Sequence, residues 1–200
     1  MTTRPETADS DERRLNKHLA LILGVSRREA DNLVSSGRVK VEGEVAAMGQ
    51  RVTTKSNIQL DDKKIEQDTT YTYLLLHKPK GYVCSRKSQG DTPTIYELLP
   101  EKYHTLKTVG RLDKDSSGAI LLTNNGDFAH SMTHPSFKKR KLYEVTLRLP
   151  LQPLHRQMIS DKGISLEDGA SKFELERMID GNDTKWKITM SEGRNRQIRR

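Results

Sequence analysis

The sequence predicts an α+β fold, in which a small unit of helices and strands precedes a larger, mainly antiparallel sheet with helices packed on it. Three observations support this prediction. The apolar spacing changes from helical steps to alternation before residue 61, a polar and charged stretch at 61–70 interrupts the chain, and strict alternation returns at 142–149. A chain of 200 residues is long enough for one large domain or two small ones.

The charge balance favours a polyanionic partner. The chain has 35 Lys and Arg against 27 Asp and Glu, a formal net charge of +8, and only 33% hydrophobic residues. Such an excess promotes binding to nucleic acid through counterion release. The longest apolar runs, such as 119–122, fall far short of the roughly 20 residues that span a bilayer. No membrane segment is therefore expected, and nucleic acid is the leading partner class.

Two features bear on the cellular compartment. The single cysteine, Cys84, cannot form an internal disulfide, which is typical of a reducing cytoplasm. Residues 1–10 lack the basic start and apolar core of a secretory signal, so we interpret them as a disordered tail. A cytoplasmic protein is expected.

Residues 11–66 are predicted to form two short helices followed by a meander of strands. Apolar residues recur at three- and four-residue steps, Gly24 can end the first helix, and Ser26 with Glu29 forms a capping-box start for the second. Alternation begins at Val39. Basic side chains decorate this unit and form either a phosphate-binding surface or an ordinary solvated face. They include Arg27, Arg28 and Arg38.

Residues 67–70 are predicted to be a linker, and a second core is expected from residue 71 onward. The strand candidate that opens this core is followed by the run Lys78-Pro79-Lys80-Gly81. This basic turn is either a clamp for an RNA backbone or a plain loop with solvated lysines.

The run Gly110-Arg111-Leu112-Asp113 lies between two β-prone apolar stretches, and Gly118 follows it. Glycines at these positions suit a turn or a close backbone approach. A carboxylate at the edge of a sheet, with a guanidinium two residues upstream, can act as a nucleophile or a base. The alternative is an ordinary aspartate in a turn.

Consecutive cations at 138–141 precede the alternating run at 142–149, which is predicted to be a half-buried strand. Tyr143 falls on its apolar face and is either a core residue or a ring that stacks on a base. The arginine-rich end of the chain is either a frayed tail or a docked segment. His130 and His134 stand four apart, but no third ligand has suitable spacing, so no metal site is predicted.

These motifs resemble two known families. Residues 13 to about 65 closely resemble the αL RNA-binding domain first described in a small-subunit ribosomal protein, through stretches such as Ser26-Arg27-Arg28-Glu29-Ala30. Residues 13 to 200 resemble the bacterial ribosomal RNA pseudouridine synthases that carry such a domain. Four motifs in order support the second resemblance: Lys78-Pro79-Lys80-Gly81, Gly110-Arg111-Leu112-Asp113, Lys141-Leu142-Tyr143, and Glu192-Gly193-Arg194-Asn195-Arg196-Gln197-Ile198-Arg199-Arg200.

The resemblance implies an isomerase that converts a specific uridine of ribosomal RNA to pseudouridine after flipping it out of the helix. It assigns Asp113 as the nucleophile, Tyr143 as the ring that stacks on the base, and Arg199 as the partner of the aspartate. Ile198 would pack beneath Tyr143, and Arg111 would hold the flipped nucleotide. Further RNA contacts are expected from Lys78, Lys80, Lys141, Arg194, Arg196, Arg27, Arg28 and Arg38.

Other expectations follow from the resemblance. The partner would be ribosomal RNA or an assembling ribosomal subunit, bound by a monomer. The reaction involves neither a redox step nor hydrolysis, so neither a cofactor nor a metal is expected. The catalytic domain would cover 71–200, and because the family pattern continues past the arginine-rich motif, we expect a truncated or unusually short domain. The alternative is a non-catalytic RNA-binding or ribosome-assembly protein that uses the same surfaces.

Overall fold

A computed structural model describes residues 12–66, 70–88, 90–194 and 196–200. The chain forms two compact units, 1–129 and 130–200. The predicted tail at 1–10 and three of the four predicted linker residues lie outside the described residues. None of the helices in the described ranges is long and apolar enough to cross a membrane.

The start of the first unit contains the predicted helix pair and strand meander. The elements are β1 Arg13–Arg14, α1 Leu15–Ile22, α2 Arg27–Ser35, β2 Val39–Val41, β3 Glu44–Val45, β4 Arg51–Val52, β5 Ile58–Leu60 and β6 Lys63–Lys64. The main sheet has the strand order β3-β2-β5-β6, and β1 pairs with β4. The Ser26 hydroxyl accepts a hydrogen bond from the Glu29 N–H at 3.1 Å, so α2 begins where the capping signal predicted.

The helices and this sheet enclose a common apolar core. Leu19 of α1, Ala30 of α2 and Ile58 of β5 are fully buried in one cluster. In β2, Val39 and Val41 point into the cluster while Lys40 between them is only partly buried. Burying each large aliphatic side chain contributes about 1.5–3 kcal/mol, so apolar spacing of this kind is enough to specify the small unit.

A second sheet completes the first unit. It is antiparallel and consists of β7 Tyr73–Lys78, β8 Lys107–Thr108 and β9 Gly118–Thr123, with β9 in the centre. Two short 3-10 segments, Ile95–Leu98 and Glu101–Tyr103, lie between β7 and β8 in the chain. Buried side chains of the first segment and of β9 form a common core, which packs this segment against the sheet.

The second unit contains the elements β10 Lys141–Thr146, α4 Pro153–Lys162, β11 Ile164–Leu166, β12 Gly169–Ser171, β13 Glu174–Arg177 and β14 Lys185–Met190. The strands form a three-stranded antiparallel sheet with the order β10-β14-β13 and a separate β11-β12 hairpin. Tyr143 lies opposite Ile188 and is half-buried, whereas Leu142 and Glu144 are exposed, which confirms the predicted faces at the start of the strand. The strand predicted over 142–149 ends at Thr146, and Leu149 beyond it is exposed. The helix α3, Gly126–Thr133, spans the boundary between the units.

Candidate active site

Asp113 lies in the loop between β8 and β9, which we call the aspartate loop, residues 109–117. The loop leaves β8 with Val109 donating its N–H to the Leu121 carbonyl at 2.7 Å. Gly110 follows with φ +80°, a backbone conformation that L side chains rarely adopt. The Ser116 N–H donates to the Asp113 carbonyl at 3.0 Å and closes a tight turn. This turn leaves Asp113 half-buried at the edge of the sheet.

Lys78 anchors the part of the aspartate loop that follows Asp113. Its side chain is fully buried, and its ammonium donates to the carbonyls of Pro79 at 2.9 Å, Ser116 at 2.7 Å and Lys114 at 3.4 Å. The Gly81 N–H also donates to the Lys114 carbonyl, at 2.8 Å. The RNA contact predicted for Lys78 would require this ammonium to leave its carbonyl partners. Lys80 is exposed and is the better placed cation of the pair.

Cys84 anchors the part of the aspartate loop that precedes Asp113. The Leu112 N–H donates to the Cys84 sulfur at 3.4 Å, and the thiol donates to the Leu112 carbonyl at the same distance. The Leu112 side chain packs against the second core of the unit. The residues on both sides of Asp113 are therefore fixed. Sequence reasoning used Cys84 only to exclude an internal disulfide, because its partner Leu112 lies 28 residues away along the chain.

Exposed cations flank Asp113 along the aspartate loop. Arg111 and Lys114 are exposed, and the Lys114 ammonium donates to the Thr92 hydroxyl at 3.1 Å. The loop therefore presents positive charge on both sides of Asp113. This arrangement suits the approach of a phosphate backbone.

A second positive region lies on α2 and β8 of the first unit. Arg27 and Arg28 are exposed in the first turn of α2. Arg27 and Lys107 line the same small cavity. Burial lowers the pKa of Lys107, and the charges of Arg86 and Arg27 lower it further. The Lys107 ammonium donates to the Val25 carbonyl at 3.4 Å. Sequence reasoning missed Lys107, whose two-residue strand carries no pattern that marks it.

Arg38 is already engaged within the protein. Its guanidinium forms a bidentate pair with Asp61, with Nε to Oδ1 at 2.8 Å and Nη2 to Oδ2 at 2.5 Å. This hydrogen bonding lowers the pKa of Asp61 and raises that of Arg38. Half of the Arg38 side chain stays exposed, so an RNA contact at this position would share the guanidinium with Asp61.

The second unit carries the tyrosine and the arginine-rich segment, which we define as residues 192–200. The Lys141 ammonium donates to the Glu192 carbonyl at 3.2 Å, so the start of β10 touches the start of this segment. Within the segment the N–H groups of Arg199 and Arg200 both donate to the Arg196 carbonyl. Gln197 is 8% exposed. The segment is docked and is not a frayed tail.

Most of the predicted site residues fall into two groups, one in each unit. The first unit contains Lys78, Lys80, Arg111 and Asp113, and the second contains Lys141, Tyr143, Arg194, Arg196, Ile198 and Arg199. The pairing of Asp113 with Arg199 and the packing of Ile198 beneath Tyr143 stay predictions. In the described parts of the chain, no group of three or more His, Cys, Asp or Glu side chains could hold a metal ion.

Comparison with protein families gives two matches. The model of the RNA pseudouridylate synthase family matches residues 72–200, and that of the S4 domain matches residues 13–58. A solved structure described as the crystal structure of pseudouridylate synthase is similar, with a TM-score of 0.57 and 30% identity. The match covers 94% of this chain and 80% of that one.

Several curated proteins are similar along most of the chain. The ribosomal large subunit pseudouridine synthase B of Bacillus subtilis is 33% identical over 193 residues, which cover 94% of this chain and 78% of that protein. The ribosomal small subunit pseudouridine synthase A of Yersinia pestis is 34% identical, covering 94% and 80%. The large subunit synthase B of Xanthomonas campestris is 35% identical over 94% of this chain, but the match spans only 40% of that longer protein.

Proposed function

The chain belongs to the RNA pseudouridylate synthase family, and we propose that it converts a specific uridine of ribosomal RNA to pseudouridine with Asp113 as the nucleophile. The observation that carries this proposal is the aspartate loop. Its backbone is held at Leu112, Lys114 and Ser116, while the carboxylate between these points is half-buried. Within the described part of its own unit, no side chain donates a hydrogen bond to that carboxylate. A fixed backbone with an available carboxylate is what nucleophilic attack requires.

The proposed reaction is a rearrangement within one nucleotide. The bond from ribose C1′ to uracil N1 breaks, the uracil turns, and C1′ bonds to C5. The proton on C5 is lost and N1 gains one, so atoms and electrons balance without an outside reactant. Asp113 would form a covalent bond to the ribose or the base while the uracil turns, and would leave when the new bond forms.

Other side chains would prepare the nucleotide for Asp113. Tyr143 would stack on the flipped base and assist its proton transfer, Arg199 would pair with the aspartate, and Ile198 would support the ring of Tyr143. Arg111 would hold the flipped nucleotide. Extrusion of a base costs a few kcal/mol, which contacts elsewhere must offset. Those contacts are proposed for the exposed cations, including Lys80, Arg27 and Arg28.

The proposal extends to the organisation of the chain. We place the RNA-binding domain at 11–66, the linker at 67–70 and the catalytic domain at 71–200, which agrees with the positions of the two family matches. We propose that the protein acts as a monomer in the bacterial cytoplasm and needs no cofactor. The names of the relatives include both ribosomal subunits, so the proposed substrate is ribosomal RNA of either subunit.

The test uses Asp113→Asn, which preserves shape and removes the nucleophile. The protein is incubated with unmodified small- and large-subunit RNA transcripts, and pseudouridines are mapped by carbodiimide modification and primer extension. The wild type should modify a defined uridine, and Asp113→Asn should bind RNA equally well without modifying it. Asp115→Asn makes the same change in the same loop and should remain active.

Two outcomes would contradict the proposal. Modification by Asp113→Asn would remove Asp113 from the mechanism. Salt-sensitive RNA binding by the wild type without any modification would favour the non-catalytic RNA-binding or ribosome-assembly protein.

A further inference from the structure

We infer that Asp168, in the turn of the β11-β12 hairpin, is a positioning residue that holds the arginine-rich segment in place for the reaction. The inference rests on the proposed function, because that segment carries Ile198 and Arg199. Asp168 itself would touch neither the RNA nor the reacting atoms. The hairpin that carries it belongs to the same unit as the segment.

The strongest contact joins Asp168 to Arg200. The Arg200 guanidinium donates through Nη1 to Oδ1 and through Nη2 to Oδ2, both at 3.0 Å. This parallel, bidentate geometry gives stronger and more directional hydrogen bonds than a single contact between charges. Arg200 is therefore fixed to the hairpin turn in position as well as in orientation.

Arg194 docks on the same turn. Its Nη1 donates to the Asp168 carbonyl at 2.9 Å, to Asp168 Oδ1 at 3.2 Å and to the Gly169 carbonyl at 3.1 Å, while Nη2 donates to the Ala170 carbonyl at 2.9 Å. The Arg194 side chain is 22% exposed. A guanidinium with these partners is committed to the protein, so the RNA contact predicted for Arg194 would have to compete with the hairpin.

Gln197 supplies a third connection. Its Nε2 donates to the buried Ser171 hydroxyl at 2.8 Å and to Glu192 Oε1 at 2.5 Å, and its Oε1 accepts from the Arg194 N–H at 2.9 Å. The hairpin thus holds the segment at positions 194, 197 and 200. Ile198 and Arg199 are the two residues between the second and third of these points.

The anchors at Gln197 and Arg200, on either side of Ile198 and Arg199, are the reason for assigning Asp168 a positioning role. Because both flanking residues are anchored, the backbone of Ile198 and Arg199 has little freedom to move. Replacing the Asp168 carboxylate by an amide turns one of its two acceptor oxygens into an NH2 donor and removes the negative charge, so the bidentate pair with Arg200 is lost. A displacement of about 1 Å at a catalytic group can cost about 100-fold in rate. The expected effect therefore falls on turnover and not on RNA affinity.

The experiment compares Asp168→Asn with Asp161→Asn, a matched change at an exposed aspartate of α4 in the same unit. Amide hydrogen exchange should accelerate in residues 196–200 of Asp168→Asn and remain slow in β10 and β14. In steady-state assays kcat should fall by about 10- to 100-fold, and KM for the RNA should stay within about twofold. Asp168→Glu should recover part of the rate, and Asp161→Asn should match the wild type in both measurements.

A second variant guards against a folding defect. Arg200→Gln removes the same ion pair by changing the other partner. The decrease in kcat of the double variant, Asp168→Asn with Arg200→Gln, should be smaller than the two single decreases combined, because both changes break the same connection. Unchanged exchange at 196–200, or unchanged kcat, would overturn the inference. Equal acceleration throughout the unit would also overturn it, since it would indicate a general structural role.

The two proposals fail in different ways. If the wild type forms no pseudouridine in any transcript, the proposed function fails, and the inference fails with it as a statement about catalysis. If the wild type is active and Asp168→Asn is equally active, only the inference fails. Hydrogen exchange needs no activity, so it reports on the connection in either case.

Discussion

Lys78→Met tests whether the buried ammonium holds the aspartate loop. Methionine has a similar length but no donor, so the change removes hydrogen bonds of 2.7 Å to Ser116 and 2.9 Å to Pro79 while preserving most of the packing. The Lys114 carbonyl keeps its bond from the Gly81 N–H. The variant therefore isolates the polar contribution of Lys78 to the loop.

The magnitude follows from the two carbonyls that lose their donor. A buried acceptor left unsatisfied costs about 1–3 kcal/mol. Part of that cost is offset, because the variant no longer has to keep an ammonium out of water. We expect a net loss of about 2–4 kcal/mol in the free energy of unfolding. Pseudouridine formation should also fall, since the backbone around Asp113 loses its support.

Urea denaturation measures the first effect, and the mapping assay on RNA measures the second. The control is Lys80→Met, the same change at an exposed lysine two residues further on, which should alter stability by less than about 0.5 kcal/mol. If Lys78→Met and Lys80→Met had the same unfolding midpoint and slope, the proposed role of the buried ammonium would be wrong.

Three further predictions concern the N-terminal unit. Leu19→Ala, at a fully buried position, should lower the free energy of unfolding by about 2–5 kcal/mol. Val45→Ala, at a side chain that is 62% exposed, should lower it by less than about 0.5 kcal/mol. Equal unfolding midpoints of the two variants in urea would contradict the assigned core. Arg28→Gln should reduce the slope of log affinity for RNA against log salt concentration by about 0.7–0.9, and an unchanged slope would remove Arg28 from the RNA surface. The hydrogen bond from Arg38 lowers the pKa of Asp61 in the folded protein. The pair therefore stabilises the folded protein fully above the pKa that Asp61 has in the unfolded chain, about 4, and this stabilisation is lost as the pH falls through the lower pKa of the folded protein. Asp61→Asn should therefore lose less stability than the wild type on acidification below about pH 4 in urea titrations, and an identical acid profile would argue against the pair.

Periodicity predicted the elements in which apolar and polar residues alternate clearly. The start of α2 after Ser26 and the two faces of β10 are examples. The β11-β12 hairpin was missed because its strands have three residues each and bury only Ser171, a polar residue. The two residues between the strands are Glu167 and Asp168, and the Asp-Gly step where this turn enters β12 was the signal that could have revealed the hairpin.

The candidate site was likewise predicted only in part from the sequence. Motifs identified the residues proposed to act on RNA, because those residues form short contiguous runs. Motifs did not identify what holds them, because Lys78 reaches a carbonyl 38 residues away and Cys84 reaches a backbone 28 residues away. Arg194 shows the reverse case: its basic character predicted an RNA contact, whereas its hydrogen bonds go to carbonyls of the hairpin. Charge in a sequence does not reveal which acceptor a side chain will find.

The register of β10 against β14 restricts how the length of this chain can vary during evolution. Tyr143 lies opposite Ile188, and its neighbour Leu142 lies opposite Thr189 with its side chain on the other face. Deletion or insertion of one residue within β10 would turn the tyrosine ring to the solvent face and present leucine in its place. Homologous chains should therefore gain and lose residues at 148–150, between the backbone hydrogen bonds that Leu147 and Leu151 donate to Thr184 and Asp183, and keep a constant spacing between the cations and the ring.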